Sequence, residues 1–218
     1  MTKIALAPLE NATKNSTRDE RISVTNISIG YFIIIKASRI DHIGPNDDSV
    51  GHLHDIIQYN EVMDYVHTWI DAHPSSIMLS GAADECGGLT LLGYNPLILK
   101  AANTYVESLF TLFNEYTGPS PSELLRTSVP RYGLTNASEA EIATLEGHED
   151  DISWPNALRK TLSERGGMNR SASDYSAIDA MLYGYSSEKG HGLLRQNTAG
   201  NWEDTQFSRY MEQQLGVD

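Results

Sequence analysis

The chain has 218 residues, 40% of them hydrophobic, which is the size of one domain and enough to bury a core. Its 29 acidic against 16 basic residues give a net charge of -13, a field that repels nucleic acid and anionic membrane surfaces. The single cysteine, Cys86, excludes an internal disulfide, no apolar run reaches the length of a membrane span, and the first residues are too polar for a signal peptide.

Residues 3 to 14 place Ile4, Leu6, Leu9 and Ala12 at helical spacing around Pro8. The next stretch, 16 to 30, has no helical period and reads as a loop or an insertion. Phe32, Ile33, Ile34 and Ile35 then form a continuous apolar run, the pattern of a strand buried on both faces. A polar loop follows, with Ser38, Arg39, Asp41, His42, Asp47 and Asp48 around Gly44 and Pro45. Loops at strand ends are where α/β proteins collect ligands. Val50, Leu53, Ile56, Ile57, Met63, Val66 and Ile70 recur at steps of three and four and predict an amphipathic helix through His73.

Pro74 ends that helix, and Ile77, Met78 and Leu79 predict a strand running into the glycine-bearing loop GAADECGG. Strand, helix, strand is a βαβ unit, which implies parallel strands and a right-handed crossover. Further helices are predicted from Leu97 to Tyr116 and from Ser122 to Tyr132, the second interrupted at Pro130. Ser138 with Glu141 forms a capping box that opens a helix through Glu146. Trp154 to Arg165 predicts a helix with Pro155 in its first turn and Gly166 and Gly167 as its stop. Ser176 to Tyr185 is strand-like, and Glu203 to Leu215 predicts a terminal amphipathic helix.

Asp41, His42, His52 and His54 could converge as metal ligands, or His52 and His54 could lie on the solvated side of their helix. Asp84 and Glu85 form a carboxylate pair in the second loop, a functional pair or a solvated one. Cys86 is a poor candidate nucleophile, because adjacent carboxylates disfavour the thiolate. There is no Walker loop, GxSxG elbow or HExxH pair. Spacing alone leaves the function open.

The motifs stand in an informative order. MTKIALAPLENATKN is similar to MTxIALxxLExATK, and YFIIIKASRIDHIGPNDD to FFLMIEGSRIDHAGHxND, followed by HLHDIIQYNEV beside HLHDILAYDEA. SGAADECGGLTLLG then corresponds to TxDHETGGLTLG, DYSAIDAMLYGYS to GHTAVDVNLYGYG, and EDTQFSRYMEQQLGVD to ENTEIGxFLxxYLGLD. In these motifs the chain resembles the carboxyl-terminal part of eukaryotic, fungal-like alkaline phosphatases. The resemblance implies a three-layer α/β fold, with a mostly parallel central sheet and helices on both faces. It covers residues 1–218 as a single partial domain, with 16–30 as an insertion and the amino-terminal half absent. Missing strands should leave an open edge and exposed apolar surface.

The resemblance also implies phosphate monoester hydrolysis by a serine nucleophile, two zinc ions and a magnesium ion. Residue by residue, the family's magnesium-binding glutamate falls on Lys36, its zinc aspartate on Asp41, and the histidine four residues later on Pro45. The aspartate and histidine of DHE fall on Ala83 and Asp84, and the last zinc histidine falls on Tyr175. Asp41 is thus the one family ligand kept, with Asp84 a differently shaped oxygen donor. The nucleophilic serine, the first metal aspartate and the phosphate-binding arginine belong to the amino-terminal half, so no catalytic residue is assigned. The expectation is a catalytically impaired relative, a remnant or a partner of an intact family member, possible also as a homodimer. Two alternatives stand beside it: an active phosphomonoesterase with substitute ligands such as His42 or His52, and a new activity in the old pocket. In the latter a buried Lys36 would bind an anionic substrate or act as a base.

Overall fold

The computed structural model describes residues 2, 5, 6, 8, 31–43, 48–82, 84–93, 95–147, 153–171 and 175–216. They fall into two compact units. One comprises Met1–Lys36, Val62–Ser80 and Leu182–Asp218, and the other Ala37–Glu61 and Gly81–Met181. The expected insertion at 16–30 lies outside the described residues. Of the expected first helix only Ala5, Leu6 and Pro8 are described, all helical, with Leu6 buried.

The second unit holds helix α1 (Ser38–Ile43), the first half of α2 (Ser49–Ala72), strand β2 (Leu89–Leu91) and a 3-10 turn (Pro96–Ala101). It continues with α3 (Val106–Asn114), α4 (Pro121–Ser128), a second 3-10 turn (Val129–Tyr132), α5 (Glu139–Glu146), α6 (Ser153–Gly166) and β3 (Met168–Arg170). Its core is helical. Trp154, Leu158 and Leu162 of α6 meet Val106 and Leu109 of α3, Leu125 of α4 and Ile142 and Leu145 of α5. Phe113 stacks on Trp154 with ring centroids 5.3 Å apart. Side chains at three- and four-residue steps share one helix face, so each short helix contributes one apolar stripe.

Local chemistry sets the helix ends. Ser120 accepts from the Glu123 N–H ahead of Pro121, and the expected capping box forms, with the Ser138 N–H donating to Glu141 Oε2 over 2.7 Å. Burial alone would raise the Glu141 carboxyl, but hydrogen bonds from Ser138 and Arg165 outweigh it and leave the carboxyl below its ordinary range. Gly167, at φ +64, stops α6 as expected, and a side chain there would strike the Leu92 carbonyl.

The first unit holds the second half of α2, β1 (Ile77–Gly81) up to Ser80, β4 (Leu182–Ser186), α7 (Glu188–Thr198) and α8 (Asp204–Leu215). β1 pairs with β4, and α7 packs on β4. A Cβ at Gly184 would touch Leu194 and Leu79, so β4 and α7 approach closely there. Tyr185 stacks on His67 of α2, and its hydroxyl donates to Asp71.

Several expectations are corrected. Residues 31–37 form no strand, and Phe32, Ile34 and Ile35 are exposed, because an apolar β-branched run becomes a strand only where a ladder partner and a covering layer meet it. The expected βαβ unit therefore does not form among the described residues. In place of one mostly parallel central sheet, the described residues form two two-stranded sheets, and the β2–β3 pair is antiparallel. The polar loop after residue 37 is in part the helix α1. α2 is present, yet its amphipathicity is weak: Val50 and Ile70 are buried while Ile56 and Ile57 are exposed. The predicted helix from Leu97 to Tyr116 breaks at 102–105, where Ala102 is extended and the Asn103 N–H donates to the Arg131 carbonyl over 2.8 Å. That tertiary hydrogen bond outweighs local propensity. The strand-like segment shrinks to Leu182–Ser186.

Candidate functional site

Three segments of the second unit meet around β3. β2 pairs with β3 in the register Leu89↔Arg170, Thr90↔Asn169 and Leu91↔Met168. The ladder extends through Ser171, whose N–H donates to the Gly88 carbonyl over 3.1 Å, to a bridge between Cys86 and Tyr175. Gly87 and Gly88 are buried at φ +84 and +55, so the loop turns through a backbone conformation that side chains rarely adopt. The outcome is that loop 84–86 lies beside residues 175–176. The Ser176 N–H donates to the Glu85 carbonyl over 2.9 Å, and the Ser176 hydroxyl donates to the Glu85 carboxylate.

On the other side of β3, Arg170 reaches the first turns of α2 and places its guanidinium 3.3 Å from His52 Nδ1. A guanidinium only donates, so Nδ1 accepts and the ring is neutral, with its proton on Nε2. Burial holds the His52 pKa below its ordinary value, Arg170 lowers it further, and Asp55 and Asp48 act in the opposite direction. Asp48 is buried ahead of α2 and accepts from the Val50 and Gly51 N–H groups over 3.1 and 2.9 Å. It is the helix N-cap. Tyr132 donates to the same oxygen, and burial, with Asp48 beside it, pushes the Tyr132 hydroxyl well above its ordinary pKa.

The sequence-predicted site residues have different fates. Lys36 is exposed, so the closed pocket expected around its ammonium is not formed among the described residues, and its reading as a buried base is withdrawn. Asp41 lies on α1, and Pro45 and Ala83 lie outside the described residues. Asp84 is exposed, as is Tyr175. His52 and His54 are half-buried rather than fully solvated. His54 lies 6.2 Å from the Tyr105 ring, and its Nε2 is buried with no hydrogen-bond partner among the described residues. Among the described residues no three His, Cys, Asp or Glu side chains converge as a metal-holding group.

The resemblance maps two of the family's zinc-histidine positions onto Asp84 and Tyr175, and the ladder brings their loops together. Sequence reasoning missed the Glu85–Ser176 link, the Arg170–His52 pair and the Tyr132–Asp48 bond, each joining residues far apart in the chain. The one local signal available was Asp48 followed by Ser49 and Val50, an N-cap residue ahead of a helix.

No protein-family model matches the chain. It is 23% identical to the repressible alkaline phosphatase of Saccharomyces cerevisiae over 239 aligned positions, covering 99% of this chain and 40% of that protein. It is also 23% identical to an alkaline phosphatase of Schizosaccharomyces pombe, covering all of this chain and 40% of that one. The chain thus spans about 40% of the length of the curated relatives it matches. Among solved structures, a cold-active alkaline phosphatase from a psychrophilic Shewanella aligns with TM-score 0.75 and 17% identity over 86% of this chain and 46% of that one. The Thermus thermophilus alkaline phosphatase aligns with TM-score 0.68 and 18% identity, over 87% and 44%. The chain has an alkaline-phosphatase-like α/β fold in part. Among the described residues no helix is long and apolar enough to cross a membrane.

Proposed function

We propose that this chain, a relative of the alkaline phosphatases in sequence and in fold, is a catalytically impaired family member that works by associating with another polypeptide. One observation carries the impairment. Loops 84–86 and 175–176 lie together, yet where the resemblance calls for imidazoles they present the exposed Asp84 and the exposed phenol of Tyr175, and the neighbouring Glu85 carboxylate is engaged by Ser176. A neutral phenol is a poor donor to zinc, which takes imidazole, thiolate or carboxylate. Lys36, matching the magnesium glutamate, brings a positive charge where the cation needs a negative one. This donor set does not fit the zinc and magnesium of the family. Substitute ligation by His52 is disfavoured by the Arg170 cation beside its Nδ1.

The association rests on surface chemistry. On the second unit, Leu89, Leu91 and Leu92 on and after β2, and Tyr175, Ile178 and Met181 before β4, are exposed. Apolar strand residues in water mark surfaces built to be covered. An intact family member or a second copy of this chain is the partner such a surface would take.

The test is to incubate the purified chain with an aryl phosphate and added zinc and magnesium, and to measure its metal content. The expected result is no phosphate release and less than stoichiometric zinc. Zinc-dependent turnover, or one equivalent of tightly held zinc, overturns the proposal.

A further inference from the structure

In the first unit, the last turn of α7, the 199–203 connection and one face of α8 enclose a cleft of about 280 Å³, lined by Asn197, Trp202, Gln206, Arg209, Tyr210 and Gln213. We propose that this cleft binds a sugar ring, preferentially one carrying an acidic substituent. Gln206, Arg209, Tyr210 and Gln213 recur at steps of three and four and so share one stripe of α8. Tyr210 is buried at its base, and Trp202 is half-buried and meets the Tyr210 ring edge-on, with centroids 6.0 Å apart. That contact holds the indole in place as a wall of the cleft.

The lining chemistry selects the ligand. Asn197 and Gln213 each offer two N–H donors and a carbonyl acceptor, and Gln206 offers its amide N–H groups while its carbonyl accepts from the Glu203 N–H over 2.9 Å, a mixed set that suits vicinal hydroxyls because each hydroxyl both donates and accepts. The indole and phenol rings offer apolar faces against which the C–H face of a pyranose can lie. No lining residue is acidic in a chain of net charge -13, and Arg209 contributes the one formal charge. A cationic ligand finds no counter-charge there, while a carboxylate or phosphate on the ring finds a guanidinium with five donors. The size is at the lower bound of small-molecule sites, about 300 Å³, which fits one ring and not an extended drug-like molecule.

Saturation-transfer NMR on the full chain with glucose and with glucuronate tests this. An open polar cleft gives weak binding, with Kd on the order of 1 mM, and glucuronate is expected to bind about tenfold more tightly than glucose. Arg209→Gln should bring the two sugars to the same affinity. Gln206→Ala combined with Gln213→Ala should weaken both by about tenfold, the loss of one to two net hydrogen bonds. These three positions are exposed, but Gln206 also caps α8 by accepting from the Glu203 N–H over 2.9 Å, so each variant is matched to the parent by its far-ultraviolet spectrum, and Asn197→Ala combined with Gln213→Ala, which leaves the cap intact, should weaken both sugars to a similar extent. Absence of transfer to either sugar overturns the proposal. Acetate competing as strongly as glucuronate, or transfer unchanged in the double glutamine variant, overturns it equally.

Discussion

The hydroxyl of Tyr132 donates to Oδ1 of Asp48 across 2.7 Å in the interior of the second unit, although the two residues stand 84 positions apart. The same oxygen caps α2, so one carboxylate ties the start of the longest helix to the 3-10 turn after α4. Tyr132→Phe keeps the cap and removes one neutral donor, with an expected cost of about 1 kcal/mol. Asp48→Ala removes the cap and strands a buried hydroxyl, so about 2 to 4 kcal/mol is expected. Urea denaturation reads both. In the Asp48→Ala background, Tyr132→Phe should cost nothing further, and an undiminished loss there would show that the two residues are not coupled.

Titration of Tyr132 should set the alkaline limit of stability. Its folded pKa is raised well above the unfolded value of 10.0 by burial and by Asp48. The unfolded chain therefore gives up this proton first, so the tyrosine's contribution is complete below pH 10.0 and diminishes as the pH rises towards the folded pKa. Tyrosinate absorbance of the native chain should show one tyrosine silent until unfolding, and Tyr132→Phe should remove that late step. A wild-type titration that is complete before the unfolding transition would contradict the assignment.

At acid pH the sign reverses. His52 has a folded pKa below its unfolded value of 6.5, because burial and Arg170 disfavour the imidazolium. The unfolded state binds the proton first, so stability is full above pH 6.5, falls as the pH drops below it, and levels off below the folded pKa. Glu141 also loses its contribution on acidification, but only below its ordinary value of 4.5. The two windows are therefore separable by denaturation at stepped pH. His52→Gln should flatten the upper window and leave the lower one. A pH dependence that begins only below 4.5 in the wild type would count against the His52–Arg170 pair.

Which of these features could be read from the sequence follows from how local their causes are. The Ser138–Glu141 capping box, Pro155 and Gly167 around α6, and the terminal helix α8 depend on neighbours within a turn, and their expected bounds hold to within one or two residues. The helix α7 escaped notice because Gly190 and Gly192 hide it among poor helix formers, and packing of Leu194 beside Gly184 supplies what propensity does not. Phe32 to Ile35 misled for the opposite reason: an apolar run reports a wish to be covered, not the strand or partner that covers it. At the candidate site, positions 84 and 175 were pointed to only by the resemblance. The Arg170–His52 contact joins residues 118 positions apart, and no local pattern announces it.

The exposed strand β2 supplies the prediction that bears most directly on how the chain works. Leu91 is 51% and Leu92 71% exposed, next to an antiparallel pair whose other edge is β3. Covering such side chains is worth roughly 25 cal/mol per Å² of apolar area, a contribution that favours association against the loss of translational and rotational freedom. The double substitution Leu91→Lys, Leu92→Lys removes that drive and adds two charges to the strand, a device that natural edge strands use against pairing. Because both side chains already face solvent, the change in folding stability should stay within about 1 kcal/mol. Light scattering against concentration should show the wild type associating, with itself or with an added intact alkaline phosphatase, and the lysine variant remaining monomeric in both mixtures. Equal association by the variant would move the contact surface elsewhere. A wild type that stays monomeric alone and beside the intact enzyme would remove the association half of the proposed function.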